Sequence, residues 1–188
     1  MSKLLKCLNN KDISCVPVWF MRQAGRYLPE FKQIRSKNQN FLKLCFNSNL
    51  ASELTMQPMK RFNLDAAIIF SDILMVPYAL GQEVDFVKDQ GPKLSNFDLN
   101  FFLNQNEKDF ISKLKPIYNS IKKTRTNLDK KKSLISFIGS PWTLIIYMLG
   151  MKDENNTLNL GMFKKRKDEI NMILKKLNKF LCIHIKNQ

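Results

Sequence analysis

Leu64-Asp-Ala-Ala-Ile-Ile-Phe-Ser-Asp-Ile-Leu-Met-Val-Pro-Tyr-Ala-Leu-Gly81 is the stretch whose pattern settles the fold class. Ala66 to Ser71 forms a continuous apolar run, the pattern of a β-strand covered on both faces. Strands of that kind belong to parallel sheets flanked by helices. Asp72 follows immediately, where the strand would release the chain.

Further out, the same pattern recurs. Ser133 to Ile138 reads as a second buried strand, and Pro141 then opens a helix carrying Trp142, Ile145, Ile146 and Leu149. On the N-terminal side, Val16 to Met21 reads as a short buried strand that feeds a loop holding Arg22 and Arg26. Tyr27 to Arg35 is expected as a helix with Pro29 in its first turn, and Leu50 to Phe62 as another, with Pro58 as a possible kink. Glu83 to Val87 alternates in the manner of a strand, and Gly91-Pro92 is read as its closing turn. Pro116 is expected to open a helix through Ile117, Tyr118 and Ile121. Met162 to Ile185 is amphipathic, with Ile170, Ile173, Leu174, Leu177 and Leu181 on one face. Alternating strands and helices predict an α/β fold of parallel βα units. No repeat or Gly/Ser linker divides the chain, so one domain is expected.

Composition narrows the class. The chain has 188 residues, 44% of them hydrophobic, enough for a well-cored domain rather than a disordered one. Cys7, Cys15, Cys45 and Cys182 are scattered without a Cys-x-x-Cys pair, which favours neither a disulfide framework nor a zinc site and fits a reducing, cytoplasmic setting. Asn9 to Asp12 stand where a signal peptide needs an apolar core. Ser133 to Met151 carries no charge over 19 residues, but Gly139-Ser-Pro141 interrupts it, so strand, turn and helix replace a membrane span. The formal charge of +15 would suit a polyanion, whether nucleic acid or polycarboxylate. Its lysines fall mainly in Lys108–Lys132 and Lys164–Lys179, between apolar residues at helical spacing. We therefore read the charge as solvated helix faces in a Lys-, Asn- and Ile-rich composition, with neither nucleic acid nor membrane as partner.

Three candidate sites share a position just past a strand. Arg22 and Arg26 follow the first, Asp72 the second, and Tyr147 lies on the helix after the third. In parallel α/β folds the loops leaving the carboxyl ends of strands gather on one face and form the site. Paired guanidiniums grip carboxylates through planar double hydrogen bonds, so two of them on one turn suit a substrate with several carboxylates. Taken singly, each residue has a plainer role: Ser-Asp after a strand is commonly a helix cap, an arginine pair commonly lies on the surface, and a tyrosine commonly lies in the core.

Pro17-Val-Trp-Phe-Met-Arg-Gln-Ala-Gly-Arg-Tyr-Leu-Pro-Glu-Phe31, together with Leu64–Gly81 and Gly139-Ser-Pro-Trp-Thr-Leu-Ile-Ile-Tyr-Met148, resembles in order and spacing the motifs of the uroporphyrinogen decarboxylase family. The resemblance implies a (β/α)8 TIM barrel and a carboxy-lyase of haem biosynthesis. Such an enzyme removes carbon dioxide from the four acetate side chains of uroporphyrinogen III, giving coproporphyrinogen III without metal or organic cofactor. By the same resemblance, Asp72 bonds the central pyrrole N–H groups and stabilises developing positive charge. Arg22 and Arg26 bind substrate carboxylates and one of them aids proton delivery. Gln23, Ala24 and Gly25 line the pocket through backbone, and Tyr147 donates to a substrate carboxylate. Arg35 and Asp65 match supporting positions, and a homodimer is expected.

A complete barrel takes roughly 250 residues, so the expectation is a barrel truncated after about its first half, with residues 1–188 as its N-terminal part. The family's later serine and C-terminal histidine have no counterpart, and His184 reads as a helix-end residue. Two outcomes follow: a decarboxylase fragment active when the remainder is supplied, or a non-catalytic remnant or binding module of the same fold. A metal-dependent methyltransferase on a related barrel would need a His/Cys cluster, which one histidine and dispersed cysteines do not provide.

Overall fold

The computed structural model describes residues 1–9, 16–87, 91–152 and 157–188; Cys15 and the Asn10–Asp12 stretch lie outside them. In chain order the elements are α1 (Lys3–Leu8), α2 (Pro29–Lys37), α3 (Phe41–Cys45), α4 (Ser48–Arg61), β1 (Ala66–Ile68), α5 (Met75–Ala79), β2 (Val84–Val87) and β3 (Gly91–Leu94). They continue with α6 (Leu99–Leu103), α7 (Glu107–Asn127), β4 (Ser133–Ile135), α8 (Pro141–Met148), α9 (Leu160–Lys165) and α10 (Lys167–Asn187). The chain divides into two compact units, Met1–Ser71 with Pro116–Phe137 and Asp72–Lys115 with Ile138–Gln188.

In the first unit, β1 and β4 pair in parallel, Ala66 opposite Ser133 and Ile68 opposite Ile135. The two apolar runs thus form the parallel pair that the sequence predicts, each strand shorter than its run, but only β1 is buried: Ser133, Leu134 and Ile135 are half-buried and Ser136 is exposed, so the second run is not the buried strand expected. A bond from Ile69 N to Ile135 O, at 3.0 Å, prolongs the ladder by one rung. Helix α2 starts on Pro29, where a missing N–H costs nothing. Helix α4 starts from Asn47, whose side chain accepts from the Asn49 and Leu50 amides. Leu28, Phe31, Leu44 and Leu54 form the core beside these helices, with Ile34, Leu50 and Phe70 against it. Each fully buried side chain there contributes about 2 kcal/mol. Thr55 ties helix to strand: its hydroxyl donates to Ala51 O and accepts from Phe70 N, both at 2.8 Å.

Val16–Met21 departs from expectation, being neither strand nor buried. Val16, Phe20 and Met21 are 78%, 61% and 70% exposed. Val18 alone exchanges bonds with the sheet, its carbonyl accepting from Asp65 N at 2.8 Å and its amide donating to Asp65 Oδ2 at 2.9 Å. Pro116 is also displaced from its expected place. It lies inside α7 rather than at its start, and the helix begins nine residues earlier, after a turn closed by Asn106 and Asp109. Phe110, Leu114, Ile117 and Ile121 are all buried on one stripe, and that burial outweighs the ~3 kcal/mol of an interior proline.

In the second unit, β2 and β3 form an antiparallel hairpin with Phe86 opposite Pro92 and Val87 opposite Gly91. Gly91-Pro92 therefore opens a strand instead of closing one. Gly91 takes φ +81°, open to glycine, and in a two-stranded ribbon Pro92 can face outward without breaking a rung. Helix α8 starts on Pro141 as expected, and α10 packs on α8 and α6. Leu144, Ile145, Ile170, Ile173, Leu177 and Leu181 are buried as the periodicity predicts. The amphipathic segment is broken at Arg166 into α9 and α10. Trp142 is exposed, its ring 5.3 Å from that of Phe163. Among the described residues no helix is long and apolar enough to cross a membrane.

Candidate functional site

In the first unit the arginine loop connects the Val18 contact with α2. Arg22 and Arg26 are exposed, Ala24 and Gly25 half-buried, and Gln23 is buried. Among the described residues neither arginine forms an ion pair. The Gln23 side chain turns inward: Nε2 donates to Ala66 O at 3.1 Å, and Oε1 accepts from Phe20 N at 3.2 Å. Tyr27 O–H donates to Gln23 O, and Leu28 N donates to Gly25 O at 3.0 Å. The loop is thus held from within while both guanidiniums face outward, an arrangement able to receive an anion.

Asp65 and Arg35 serve the frame of this unit. Besides its contact with Val18, Asp65 pairs with Lys3 at 3.2 Å. The Val18 amide above all, with Lys3, holds its carboxyl below the ordinary 3.8, against a desolvation that raises it. Arg35 donates to the carbonyls of Asn38 and Gln39 at the end of α2 and lies over the Phe41 ring. Its guanidinium closes a helix end.

Asp72 and Tyr147 belong to the second unit. Asp72 sits four residues beyond β1 in sequence, where its Oδ1 accepts from Leu74 N at 2.9 Å and its carbonyl from Met75 N at 3.2 Å. It therefore closes the turn into α5, the plain role open to a Ser-Asp after a strand. Tyr147 is half-buried on α8 beside buried Met148. The loop before α8 lies against the Asp72 turn. A Cβ placed on Gly139 would stand 2.7 Å from Leu144 Cδ2 and 3.1 Å from Ile73 Cβ. Two of the motif segments thereby meet through Ile73 and Gly139. Leu144 is fully buried and cannot withdraw, so Gly139→Ala is expected to destabilise the protein by about 1–3 kcal/mol through overpacking. Urea denaturation checks this; an unchanged midpoint would show that the loop has room to shift.

Arg22, Gln23, Ala24, Gly25 and Arg26 thus form one continuous loop in the first unit, while Asp72 and Tyr147 occupy neighbouring segments of the second. Two side chains were missed by sequence reasoning as structural anchors. One is Gln23, whose amide reaches a carbonyl 43 residues away. The other is Gln82, whose Nε2 donates to Ser95 O at 2.7 Å and Met148 O at 2.8 Å, fastening the end of α8 to β3. A lone glutamine in an apolar or loop segment carries no periodic signal, so neither contact could be read locally.

Comparison with solved structures gives the frame independently. A methyltransferase from Methanosarcina mazei matches over 95% of this chain and 52% of its own, with TM-score 0.69 at 16% identity, a likeness of fold alone. Sequence comparison is more specific. Proteins named uroporphyrinogen decarboxylase from Rickettsia felis and Chelativorans sp. are 50% and 44% identical over 75% and 78% of this chain. One of the same name from Rickettsia bellii is 42% identical over 100% of it. The chain spans only 41%, 43% and 54% of these proteins' lengths. The family model for uroporphyrinogen decarboxylase matches residues 1–188 throughout. With all three motif segments inside that match, the chain belongs to the uroporphyrinogen decarboxylase family.

Proposed function

We propose that residues 1–188 form the N-terminal part of a single (β/α)8 barrel domain that decarboxylates the acetate side chains of uroporphyrinogen. The observation that carries this reading is the arginine loop: two outward guanidiniums, unpaired with carboxylates among the described residues, on a turn fixed by buried bonds. Such a pair suits a polycarboxylate, and family membership selects the tetrapyrrole. In the proposed chemistry a pyrrole carbon next to an acetate arm takes up a proton and the ring becomes cationic. The bond to the carboxylate carbon then breaks, its electron pair neutralises the ring, and carbon dioxide leaves. A proton added to the resulting exocyclic methylene completes the methyl group, and loss of the proton first taken up by the ring carbon restores the aromatic pyrrole, so one proton is consumed per carbon dioxide released. Asp72 holds the pyrrole N–H groups and stabilises the cation, an interaction that low dielectric strengthens. Arg22 and Arg26 hold the carboxylates, one of them relaying a proton, with Ala24 and Gly25 offering backbone and Tyr147 a hydroxyl donor. A cytoplasmic homodimer is part of the same reading.

The test is anaerobic incubation with uroporphyrinogen, followed by chromatography of the oxidised products. It is run on this chain alone and with the C-terminal part of the Rickettsia bellii relative supplied as a second polypeptide. Coproporphyrin is the expected product in the second case. Absence of turnover in both would overturn the reading in favour of a non-catalytic member of the fold.

A further inference from the structure

The resemblance assigns Gln23 to the pocket through its backbone, but its side chain points elsewhere, being 2% exposed and engaged at both ends of its amide. Phe20 N–H and Ala66 C=O are the kind of donor and acceptor that neighbouring parallel strands join directly. Here the Gln23 amide is inserted between them, accepting from the first at 3.2 Å and donating to the second at 3.1 Å. Only one orientation of the amide satisfies both groups, because a flipped amide would set N–H against N–H and oxygen against oxygen. The remaining N–H direction is turned toward Met59 Sδ on α4, at 3.8 Å. The residue types nearest to it in size and shape do not supply this. Glutamate has no donor when ionised, methionine and leucine have neither group, and asparagine is one methylene shorter. On the far side, Tyr27 O–H closes on the Gln23 carbonyl and Leu28 N on Gly25 O.

We infer that Gln23 is the positioning residue of the arginine loop: its buried amide replaces a sheet rung and fixes the roots of Arg22 and Arg26 before any carboxylate arrives. The role rests on reading those arginines as carboxylate binders. Binding then avoids much of the entropy of ordering the loop, which is how preorganisation raises affinity. It also accounts for a strand-like sequence, Val16–Met21, that leaves the sheet after a single exchange with Asp65.

The experiment pairs Gln23→Met, which keeps volume and removes both polar functions, with Tyr27→Phe at an exposed position, where folding is not at risk. Hydrogen exchange is followed at the Phe20 and Leu28 amides and, as reference, along β1 and β4. Binding of uroporphyrin, the stable oxidised octacarboxylate, is followed by fluorescence. In Gln23→Met the two loop amides are expected to exchange about tenfold faster with the β1 and β4 amides unchanged, and the uroporphyrin Kd to rise about tenfold. Tyr27→Phe shifts both in the same direction by less. Unchanged loop exchange, an equal rise in exchange everywhere, or a loosened loop with unaltered affinity would each overturn the positioning role. If the unmutated chain fails to bind uroporphyrin while Gln23→Met still loosens the loop selectively, the anchor stands and the carboxylate reading falls.

Discussion

On the proposed function, Asp72→Asn is expected to lower kcat for uroporphyrinogen on the order of 10²–10³-fold while leaving the fold intact, the size expected when one preorganised electrostatic partner of a transition state is removed. The substitution separates the turn cap that Asp72 forms from the charge that the proposed chemistry asks of it. The turn into α5 uses the carboxyl as an oxygen acceptor for Leu74 N, and the asparagine amide oxygen supplies one in the same place. What disappears is the negative charge, which in the proposed chemistry faces a ring that becomes cationic. Thermal denaturation should therefore match the parent protein to within about 0.5 kcal/mol, since capping is retained. Turnover is measured in the two-polypeptide assay described above. Near-parental turnover would remove Asp72 from the chemistry and leave it as a cap. A large loss of stability would mean that the turn depends on the charge itself.

Acid is expected to begin destabilising the second unit above the range in which ordinary carboxylates titrate. His184 is the single histidine of the chain and is 4% exposed, its ring edge-on to Phe110 with centroids 6.3 Å apart. Gln188 Nε2 lies 2.8 Å from its Nε2, where a neutral ring accepts. Burial lowers its pKa from 6.5 to about 4. Because the folded value lies below the unfolded one, the unfolded chain binds the proton more readily. Stability is complete above pH 6.5 and falls as pH drops toward 4, by about 3 kcal/mol across that window. No second histidine titrates between these limits, so the part of the slope above the carboxylate range is assignable to His184. Urea midpoints measured from pH 7.5 to 4.5 should fall for the parent chain and stay nearly level for His184→Leu. A level parent curve would show that water reaches the ring.

These two residues illustrate what local pattern conveys. The turn at Asp72 was legible because a continuous apolar run announces a strand, and an aspartate that ends one is a common helix cap. Pro29 and Pro141 were legible for a similar reason: proline at a first helical position is a local steric fact, and both helices start there. His184 was read as a helix-end residue and does lie in the last turn of α10, but it is also core, because Phe110, which covers its ring, lies 74 residues away in sequence and leaves no trace in the periodicity of α10. Pro116 misled in the opposite way. Its local rule was overruled by Phe110 and Leu114, which extend the buried stripe upstream.

By itself the sequence determined the α/β class, the parallel pairing of its two apolar runs, the helices that start on proline, and the family. All of these follow from periodicity, backbone sterics or the order of motifs, which are properties of neighbours along the chain. Tertiary structure alone decided that Val16–Met21 stays outside the sheet, that Gly91-Pro92 begins a strand, and that the Gln23 amide rather than a backbone rung joins Phe20 to Ala66. Each depends on which distant backbone group is left needing a partner. A buried donor or acceptor must be satisfied wherever the chain brings one within reach, and that demand exists only once the chain has folded.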